Sequence, residues 1–364
     1  MKNRKAAGAD NIPAEVLKAD PYMLADILLP LFQDIWQREK FPKEWKEGII
    51  VNIPKKGDLS QCRNWRGVTL LAVISKIFNK IILERIKNSL EMGLRKEQAG
   101  FHHNRSCIDQ INTLRVIIEQ SVEFRSPLYT LFVDYQRAFD SLSRAWIWDE
   151  IKVRGLPSKF INIIKEGYED FSCRVLHEGE LSDSIKTSSG VRQGCLLSPL
   201  LFLLVMDGVL RRALDGKKRG LTWRLQESLE DMDYADDVFL VSHKYEHMKR
   251  KLDDLWKESK KAGLEINSSK TEEIRVNMTV NRGLRLNGED IKRSSDFCYL
   301  GSIVAENGGT SKEVSARIQK AEGSFSKLRR VWLSKSIRKD TKIRIFNACV
   351  KSVLLYGREN WLVT

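Results

Sequence analysis

The sequence predicts an α+β protein that ends in a basic helical segment. Apolar residues recur at helical spacing through much of the first 124 residues, whereas residues 128–133 are an almost uninterrupted run of β-forming residues. Residues 311–351 carry twelve Lys or Arg and three acidic residues, which accounts for most of the net charge of +14. Together these features predict a mixed body followed by basic helices.

The N-terminal part is predicted to be mainly helical. Helical apolar spacing covers residues 14–40, with Pro21 and Pro30 as breaks, and returns over residues 70–92 and 113–124. Between the first two helices, residues 48–54 predict a strand that ends in a basic turn.

The pattern changes after Pro127, where residues 128–133 are typical of a strand buried on both faces. Further along, two strands that turn at Glu178–Gly179 are predicted within residues 174–185, and two short strands near Met232 and over residues 238–241. The predicted helices of this part cover residues 146–153, 160–167, 199–214 and 248–262, and Gly263 ends the last of them.

Charge and composition exclude several classes of protein. The positive charge favours a polyanionic partner, either nucleic acid or an anionic membrane surface. The longest apolar run, residues 196–206, is shorter than the roughly 20 residues that span a bilayer, and no apolar signal segment opens the chain. Six widely spaced cysteines without a CxxC pair exclude a zinc ribbon and favour reduced thiols. We therefore expect an intracellular protein, nuclear or cytoplasmic. Of the two polyanionic partners we expect nucleic acid, with no membrane partner.

An acidic pair between two predicted strands is the first chemical signal. Asp236 and Asp237 follow Tyr234 and Ala235, and carboxylates beside a buried strand are costly unless cations compensate them. Because consecutive strand residues point to opposite faces, a tight turn is needed to bring both carboxylates to one site. The alternative is an acidic hairpin tip without a ligand.

A third carboxylate strengthens the metal hypothesis. Asp134 directly follows the predicted buried strand. A site that binds two metal ions needs a carboxylate from a second strand, and Asp134 can provide it. Asp134 and Asp236 could bridge two Mg²⁺ ions about 3.5–4 Å apart, with Asp237 nearby. Hard carboxylate ligands and phosphate substrates suit Mg²⁺ better than Zn²⁺.

A glycine-punctuated loop, residues 189–199, opens an apolar helix. Its glycines permit close approach of the backbone to a ligand, and Gln193 could contact a base or a sugar. A purely structural loop is the alternative.

These residues carry a family resemblance. The segments FVDYQRAFD, SGVRQGCLLSP and YADD, in this order, resemble palm motifs A, B and C of reverse transcriptases from non-LTR (LINE-type, RTE-like) retrotransposons. Upstream, AAGADNIPAEVLK, IPKKGDLSQCRNWRGVTLL and EQAGFHHNRSC resemble fingers motifs, and downstream GLEINSSKTE and FCYLGSIV resemble motif D and the primer grip. The resemblance implies an RNA-directed DNA polymerase with the right-hand reverse transcriptase fold, which uses an RNA template, a DNA primer, dNTP substrates and two Mg²⁺ ions.

The resemblance also implies roles for single residues. The family's metal-binding aspartates fall on Asp134, Asp236 and Asp237, which are therefore the expected catalytic residues. Lys270 falls on the motif D lysine proposed to protonate the leaving pyrophosphate; a surface lysine is the alternative. The residues expected to bind the nucleotide are Lys55 (or Lys56), Arg66, Phe139, Gln193 and Gly194.

Phe139 bears on the choice of sugar. It lies five residues after Asp134, where the family places an aromatic ring beneath the nucleotide sugar. A ring there would clash with a 2′-hydroxyl, so dNTP is the expected substrate and a relative that copies RNA into RNA is disfavoured. A plain core aromatic is the alternative for this residue.

The resemblance divides the chain into fingers (residues 1–126), palm (127–300) and a thumb-like, incomplete basic segment (301–364). Basic side chains of the last segment are expected to neutralise template–primer phosphates. Nothing in the chain resembles an endonuclease, a ribonuclease H or a Cys/His knuckle. Arg358 stands where YGxExW-like segments of the family usually have a cysteine. A non-catalytic nucleic-acid-binding remnant of a truncated element is therefore the alternative function.

Overall fold

A computed structural model describes residues 3–55, 57–102, 104–222, 228–278 and 282–361. Lys56, the alternative to Lys55 as a phosphate ligand, lies outside the described residues. Runs of helices are followed by runs of strands, and most strand pairs are antiparallel, as expected of an α+β protein. None of the helices within the described residues is both long enough and apolar enough to cross a bilayer.

The helices of the N-terminal and central parts are α1 Val16–Ala19, α2 Pro21–Arg38, α3 Val73–Glu91, α4 Cys107–Glu123, α5 Ala138–Ser141, α6 Arg144–Val153, α7 Ser158–Glu166, α8 Ser198–Leu214 and α9 Tyr245–Lys261. The C-terminal helices are α10 Ser311–Lys327, α11 Arg329–Leu333, α12 Lys339–Phe346 and α13 Ser352–Leu354, with a π-helical turn at Asn347–Lys351. Short 3-10 turns lie at Lys43–Lys46, Cys62–Asn64 and Arg358–Asn360.

The strands up to residue 229 are β1 Glu47–Pro54, β2 Trp65–Leu70, β3 Leu128–Val133, β4 Tyr135–Gln136, β5 Ser172–His177, β6 Glu180–Leu181, β7 Ile185–Lys186, β8 Leu221–Thr222 and β9 Ser228–Leu229. The remaining strands are β10 Asp231–Tyr234, β11 Asp237–Ser242, β12 Glu265–Ile266, β13 Glu272–Val276, β14 Arg285–Leu286, β15 Glu289–Asp290, β16 Lys292–Arg293, β17 Asp296–Tyr299 and β18 Ser302–Ala305.

The chain forms two compact units, each assembled from separate stretches of sequence. The first unit contains Met1–Lys96, Tyr135–Ala213 and Leu255–Glu265. Its sheet has the strand order β2-β1-β5-β6, with β7 also paired to β5; β1 runs antiparallel to β2 and parallel to β5. Four aromatic rings pack at the centre of this unit, with centroids 5.3–6.4 Å apart: Phe32, Phe41, Trp45 and Phe78.

The second unit contains Glu97–Asp134, Leu214–Asp254 and Ile266–Thr364. Its sheet has the order β10-β11-β3-β13-β16, and the central strand β3 is buried along its whole length. Ile111, Leu114 and Ile118 of α4 are fully buried and pack in one cluster with Phe132 and Phe239 of the sheet. This helix therefore supports the strands whose ends carry the acidic residues.

The structure confirms the strand at residues 128–133, the strand pair around residue 235, the helix that begins near Pro199, and the amphipathic helix that precedes Gly263. Basic helices also follow residue 310, as predicted. The three-part division into fingers, palm and thumb stays a prediction.

Several strands were not predicted, and two of them, β2 and β13, have a clear physical reason. In β2, Arg66 and Gly67 interrupt the β-forming pattern, and the strand forms by pairing with β1 over six residues. In β13, Glu273 and Arg275 are charged, so the sequence does not show the apolar pattern of a buried strand. Both can be buried because their side chains form an ion pair of 2.8 Å. Helix α4 also begins earlier than predicted, at Cys107, because Ser106 and Asp109 form a capping box.

Candidate active site

The hairpin β10–β11 carries the acidic pair. Tyr234 pairs with Asp237, so Ala235 and Asp236 alone form the turn. Ala235 has a φ of +59°, the left-handed conformation that two-residue hairpins require and that alanine adopts at a cost. The tight turn predicted for the acidic pair is thus present, with Asp236 at its tip and Asp237 on the first position of β11.

Strand β3 brings Asp134 to the same place. Val133 pairs with Val238 in the antiparallel register of β3 and β11, so Asp134 and Asp237 are the next residues at the same sheet edge. The backbone of Asp134 is held on both sides: its N–H donates to Thr271 Oγ1 (3.3 Å), and its carbonyl accepts from the N–H of Asn267 (2.8 Å). The third carboxylate therefore has a defined position.

A cavity of about 300 Å³ opens beside these residues. Asp134, Asp237 and Lys270 line it, together with Ser269 and Tyr299 among others. Lys270 Nζ lies 3.7 Å from Asp134 Oδ2, although most of the lysine side chain is exposed. Asp236, by contrast, does not line the cavity. Its lining carboxylates are Asp134, Asp237 and Glu272, and the last of these is already paired with Lys292 (2.9 Å) and accepts a hydrogen bond from Ser294 Oγ.

The site accumulates negative charge. Loss of hydration raises the pKa of Asp237 to about 6, and the neighbouring carboxylates of Asp236 and Asp134 contribute to the rise. Burial also raises the pKa of Asp134; Lys270 opposes this effect, while Asp236 adds to it. Asp236 therefore acts electrostatically on both Asp134 and Asp237 although it lies at the turn.

These residues fit a divalent cation. Asp134 Oδ2 is buried and has no hydrogen-bond partner within the described part of the chain; the ammonium of Lys270 lies near it, at 3.7 Å. In the described ranges no three His, Cys, Asp or Glu side chains form a ready-made metal cluster. Two aspartates at one cavity still suit Mg²⁺, which keeps several waters and takes one or two protein carboxylates plus substrate phosphates.

The raised pKa of Asp237 makes stability depend on pH in a defined direction. The folded protein holds this proton more tightly than the unfolded chain, so the free energy of unfolding falls as pH rises from about 4 to about 6. Relative to wild type, Asp237→Asn should gain about 1 kcal/mol at pH 7 and nothing at pH 4; this figure allows for solvent screening of an exposed carboxylate. Urea titrations in EDTA measure the difference. The same change at the exposed Asp183 is the control, and an equal gain there would contradict the assignment.

The glycine-punctuated loop is fixed within the first unit. Gly190 and Val191 donate backbone hydrogen bonds to Leu142 and Phe139, and Gln193 Nε2 donates to Asp140 Oδ1 at 2.8 Å. The loop also contacts β2, since the N–H of Thr69 donates to the carbonyl of Gln193 (2.7 Å).

Gly194 is needed at its position in this loop for two reasons. Its φ is +122°, a conformation that L side chains rarely adopt, and a Cβ there would lie 2.3 Å from the carbonyl oxygen of Thr69. The predicted Gln193 and Gly194 thus lie between helix α5 and β2.

Phe139 is half-buried and stacks on Phe202 of α8, with centroids 4.3 Å apart and planes within 10° of parallel. The ring is therefore held in one orientation. Both the sugar-sensing role and the plain core role remain compatible with this placement.

Arg66 and Lys55 lie on the β1–β2 hairpin of the first unit. Arg66 is exposed on β2 opposite Ile53, and Lys55 follows β1, where its N–H donates to the carbonyl of Asn64 (2.7 Å). Within residues 57–65 of this connection, Trp65 Nε1 donates to the carbonyl of Leu59 (2.9 Å). Both cations thus belong to one hairpin.

Sequence reasoning missed Asn267 and Thr271, which hold the backbone of Asp134. Both belong to the segment GLEINSSKTE, in which the family resemblance assigns a role only to Lys270. Polar residues on either side of a candidate lysine were the available signal.

Comparison with known proteins places this geometry in a family. Residues 53–304 match the family described as "Reverse transcriptase (RNA-dependent DNA polymerase)". Residues 324–356 match a domain of unknown function, DUF6451.

Named relatives come from mobile elements of Drosophila melanogaster. The chain is 24% identical to a probable RNA-directed DNA polymerase from transposon BS over 98% of its length, and 23% identical to the RNA-directed DNA polymerase from mobile element jockey over 97%. A probable RNA-directed DNA polymerase from transposon X-element is 31% identical over 56% of the chain. The chain spans 40%, 39% and 23% of the lengths of these relatives, respectively.

Solved structures agree on the fold. Apo telomerase from Candida tropicalis is similar over 93% of this chain and 63% of its own, with a TM-score of 0.55 and 14% identity. A form truncated from its C-terminal domain matches over 73% of this chain and 55% of its own, with a TM-score of 0.52 and 17% identity. The right-hand reverse transcriptase fold predicted from the sequence is therefore confirmed.

Proposed function

The chain belongs to the reverse transcriptase family, within its LINE-type, non-LTR retrotransposon group, and on this premise we propose that it adds dNTPs to a DNA primer 3′-hydroxyl on an RNA template. The observation that carries this proposal is the convergence of Asp134 and Asp237 on one cavity, with Lys270 beside them. Family membership supports polymerase chemistry, and the carboxylates supply the place where it can occur.

Asp134, Asp236 and Asp237 are proposed to hold two Mg²⁺ ions. When bound, these ions lower the pKa of the attacking hydroxyl and neutralise charge that develops on the transferred phosphoryl group. Asp134 and Asp237 offer oxygens to the cavity, and Asp236 adds negative charge from the turn. Repulsion among the three carboxylates is then relieved by the cations that they attract.

Lys270 is proposed to donate a proton to the leaving pyrophosphate. Its ammonium lies 3.7 Å from Asp134, and its exposure leaves it able to approach a ligand in the cavity. Lys270→Ala should lower kcat about 100-fold, the usual contribution of a positioned acid. Lys270→Arg separates two explanations: arginine keeps the charge but does not release its proton, so kcat should stay low if proton transfer is the role.

Single-turnover incorporation measures this effect. Lys312→Ala is a matched control, because Lys312 is a similarly exposed lysine paired with a carboxylate, that of Asp296. Full activity of Lys270→Arg would reject proton donation in favour of a purely electrostatic role.

The first unit is proposed to supply the nucleotide-binding groups. The Arg66 guanidinium suits phosphate oxygens, and Lys55 adds a second cation on the same hairpin. Gln193 and Gly194 form the loop proposed to lie on the dNTP side, and the ring of Phe139 is proposed to exclude a 2′-hydroxyl.

The basic C-terminal helices are proposed to bind the template–primer backbone. Along these helices the following basic side chains are exposed: Lys320, Lys327, Arg329, Arg330, Lys335, Arg338, Lys339 and Arg344. Trp332 stacks on Phe325 (centroids 5.1 Å apart) and donates Nε1–H to its carbonyl, so it has a packing role.

Salt dependence tests this contact. Each neutralised phosphate contributes about 0.9 to the slope of log affinity against log salt concentration. Replacing Lys327, Arg329, Arg330 and Lys335 by alanine should therefore reduce the slope by about 3.6 if each contacts one phosphate. Fluorescence anisotropy of a labelled RNA–DNA duplex at several salt concentrations measures it. An unchanged slope would assign duplex binding to another surface.

Primer extension on an RNA template with Mg²⁺ and dNTPs tests the proposed function directly. Template-dependent extension supports it. Salt-sensitive binding of the duplex without any extension would instead favour the non-catalytic nucleic-acid-binding protein.

A further inference from the structure

Gln98 is fully buried in the second unit, and its amide is hydrogen-bonded at both ends to the segment that carries the acidic turn. Its Oε1 accepts from the backbone N–H of Ala235 (3.0 Å) and of Gly100 (2.7 Å). Its Nε2 donates to Asp233 Oδ2 (3.0 Å). One side chain thus binds the strand before the turn and the first residue of the turn itself.

The backbone around Gln98 strengthens this attachment. The N–H of Ala99 donates to the carbonyl of Asp233 (2.8 Å), and the N–H of Asp233 donates to the carbonyl of Glu97 (3.4 Å). Residues 97–100 therefore run beside β10 like a short additional strand. Arg105 fixes the segment from its other side, because its Nη1 donates to the carbonyl of Gln98 (2.9 Å).

Gly100 allows this close approach. A Cβ at Gly100 would lie 2.2 Å from the backbone nitrogen of Ala235 and 2.9 Å from its Cα. The segment is therefore pressed against the turn residue whose φ is +59°. Alanine does not favour that conformation on its own, so the contacts that hold it there matter.

We infer that Gln98 is a positioning residue for the catalytic carboxylates: it keeps Ala235 in the left-handed conformation and thereby places Asp236 and Asp237. The inference rests on the proposed function. Only an amide side chain can form all three hydrogen bonds at position 98, because its oxygen accepts from two backbone N–H groups and its nitrogen donates to the carboxylate of Asp233. Glutamate in the ionised form lacks the donor and would face the carboxylate of Asp233.

The test compares Gln98→Ala and Gln98→Met with wild type. Methionine keeps the length of the side chain without its hydrogen bonds, so it guards against loss of folding from a cavity. Both variants should lower kcat for dNTP incorporation by 10- to 100-fold and leave KM for dNTP within twofold. The dissociation constant for Mn²⁺, measured by electron paramagnetic resonance, should rise about tenfold, and amide exchange in residues 232–238 should accelerate.

Gln110→Ala is the matched control. Gln110 Nε2 donates to the carbonyl of Glu97 (3.4 Å), so this change loosens the same segment without touching the turn. A fall in kcat as large in Gln110→Ala as in the Gln98 variants would overturn the inference, as would an unchanged Mn²⁺ affinity in the Gln98 variants.

Adding Ala235→Gly to Gln98→Ala provides a rescue. Glycine adopts positive φ without strain, so the double variant should recover at least threefold in kcat over Gln98→Ala. No recovery would contradict an action through the conformation of residue 235. If the wild-type protein extends no primer, the proposed function fails, and Mn²⁺ affinity and amide exchange still decide the role of Gln98.

Discussion

Asp236→Ala is expected to lower primer extension at least about 1,000-fold, the largest effect of any single change predicted for this protein. Asp236 lies at the tip of the hairpin, and its negative charge raises the pKa of Asp134 and of Asp237, the two aspartates that line the cavity. Its removal weakens the attraction for the divalent cations that the reaction is proposed to require.

Stability separates this effect from unfolding. Asp236 raises the pKa of both Asp134 and Asp237, so in metal-free protein its charge opposes theirs. The alanine variant should therefore unfold in EDTA at the same temperature as wild type or a higher one, although it is inactive. Steady-state extension and thermal melts measure the two quantities.

The control is Asp183→Ala, which removes an exposed carboxylate from the segment between β6 and β7 of the first unit. Extension by this variant should equal that of wild type. Extension by Asp236→Ala within tenfold of wild type would show that the turn carboxylate is not required, and Asp134 and Asp237 would remain as the metal ligands to test.

Phe139→Ala is expected to reduce the preference for dNTP over rNTP about 100-fold. The ring is held parallel to Phe202 at 4.3 Å, so it presents a rigid surface rather than a mobile side chain. A methyl group in its place removes the steric barrier to a 2′-hydroxyl. The measurement is kcat/KM for a deoxynucleotide and for its ribonucleotide on the same template–primer.

Two observations guard this interpretation. Phe139→Tyr keeps the ring and should keep the preference. Phe139→Ala also loses packing, at a cost of about 2 kcal/mol for a half-buried ring, and melts at the assay temperature show whether the protein stays folded. An unchanged sugar preference in folded Phe139→Ala would leave this residue as a core aromatic and reopen the alternative of copying RNA into RNA.

Much of the fold follows from local pattern. The continuous apolar run of β3 is buried throughout, and the alternation of helical apolar residues locates α3, α8 and α9. Strands β2 and β13 cannot be predicted from local pattern, because their charged residues find their partners or their exposure only after folding. Arg275, for example, is acceptable in a buried strand because Glu273 pairs with it at 2.8 Å.

Some residues of the candidate site can likewise be predicted from local pattern, whereas others cannot. Asp134 after a buried strand and the acidic pair at a tight turn are local signals, and each predicted the backbone conformation that the structure has. The glycines at residues 190 and 194 were predicted only to let a ligand approach; the structure shows that both have positive φ. Family resemblance added Lys270, whose place beside Asp134 no local pattern indicates.

The sequence by itself determined the family, the acidic residues and the turn that presents them, since these depend on residue types at short spacing. Only the tertiary structure decided that Asp237 faces the cavity with Asp134 while Asp236 stays at the turn, because strand register sets which side chains share an edge. It also revealed Gln98, whose partners Asp233 and Ala235 lie 135 and 137 positions away along the chain. Contacts at such separations arise from folding alone, and no short-range pattern encodes them.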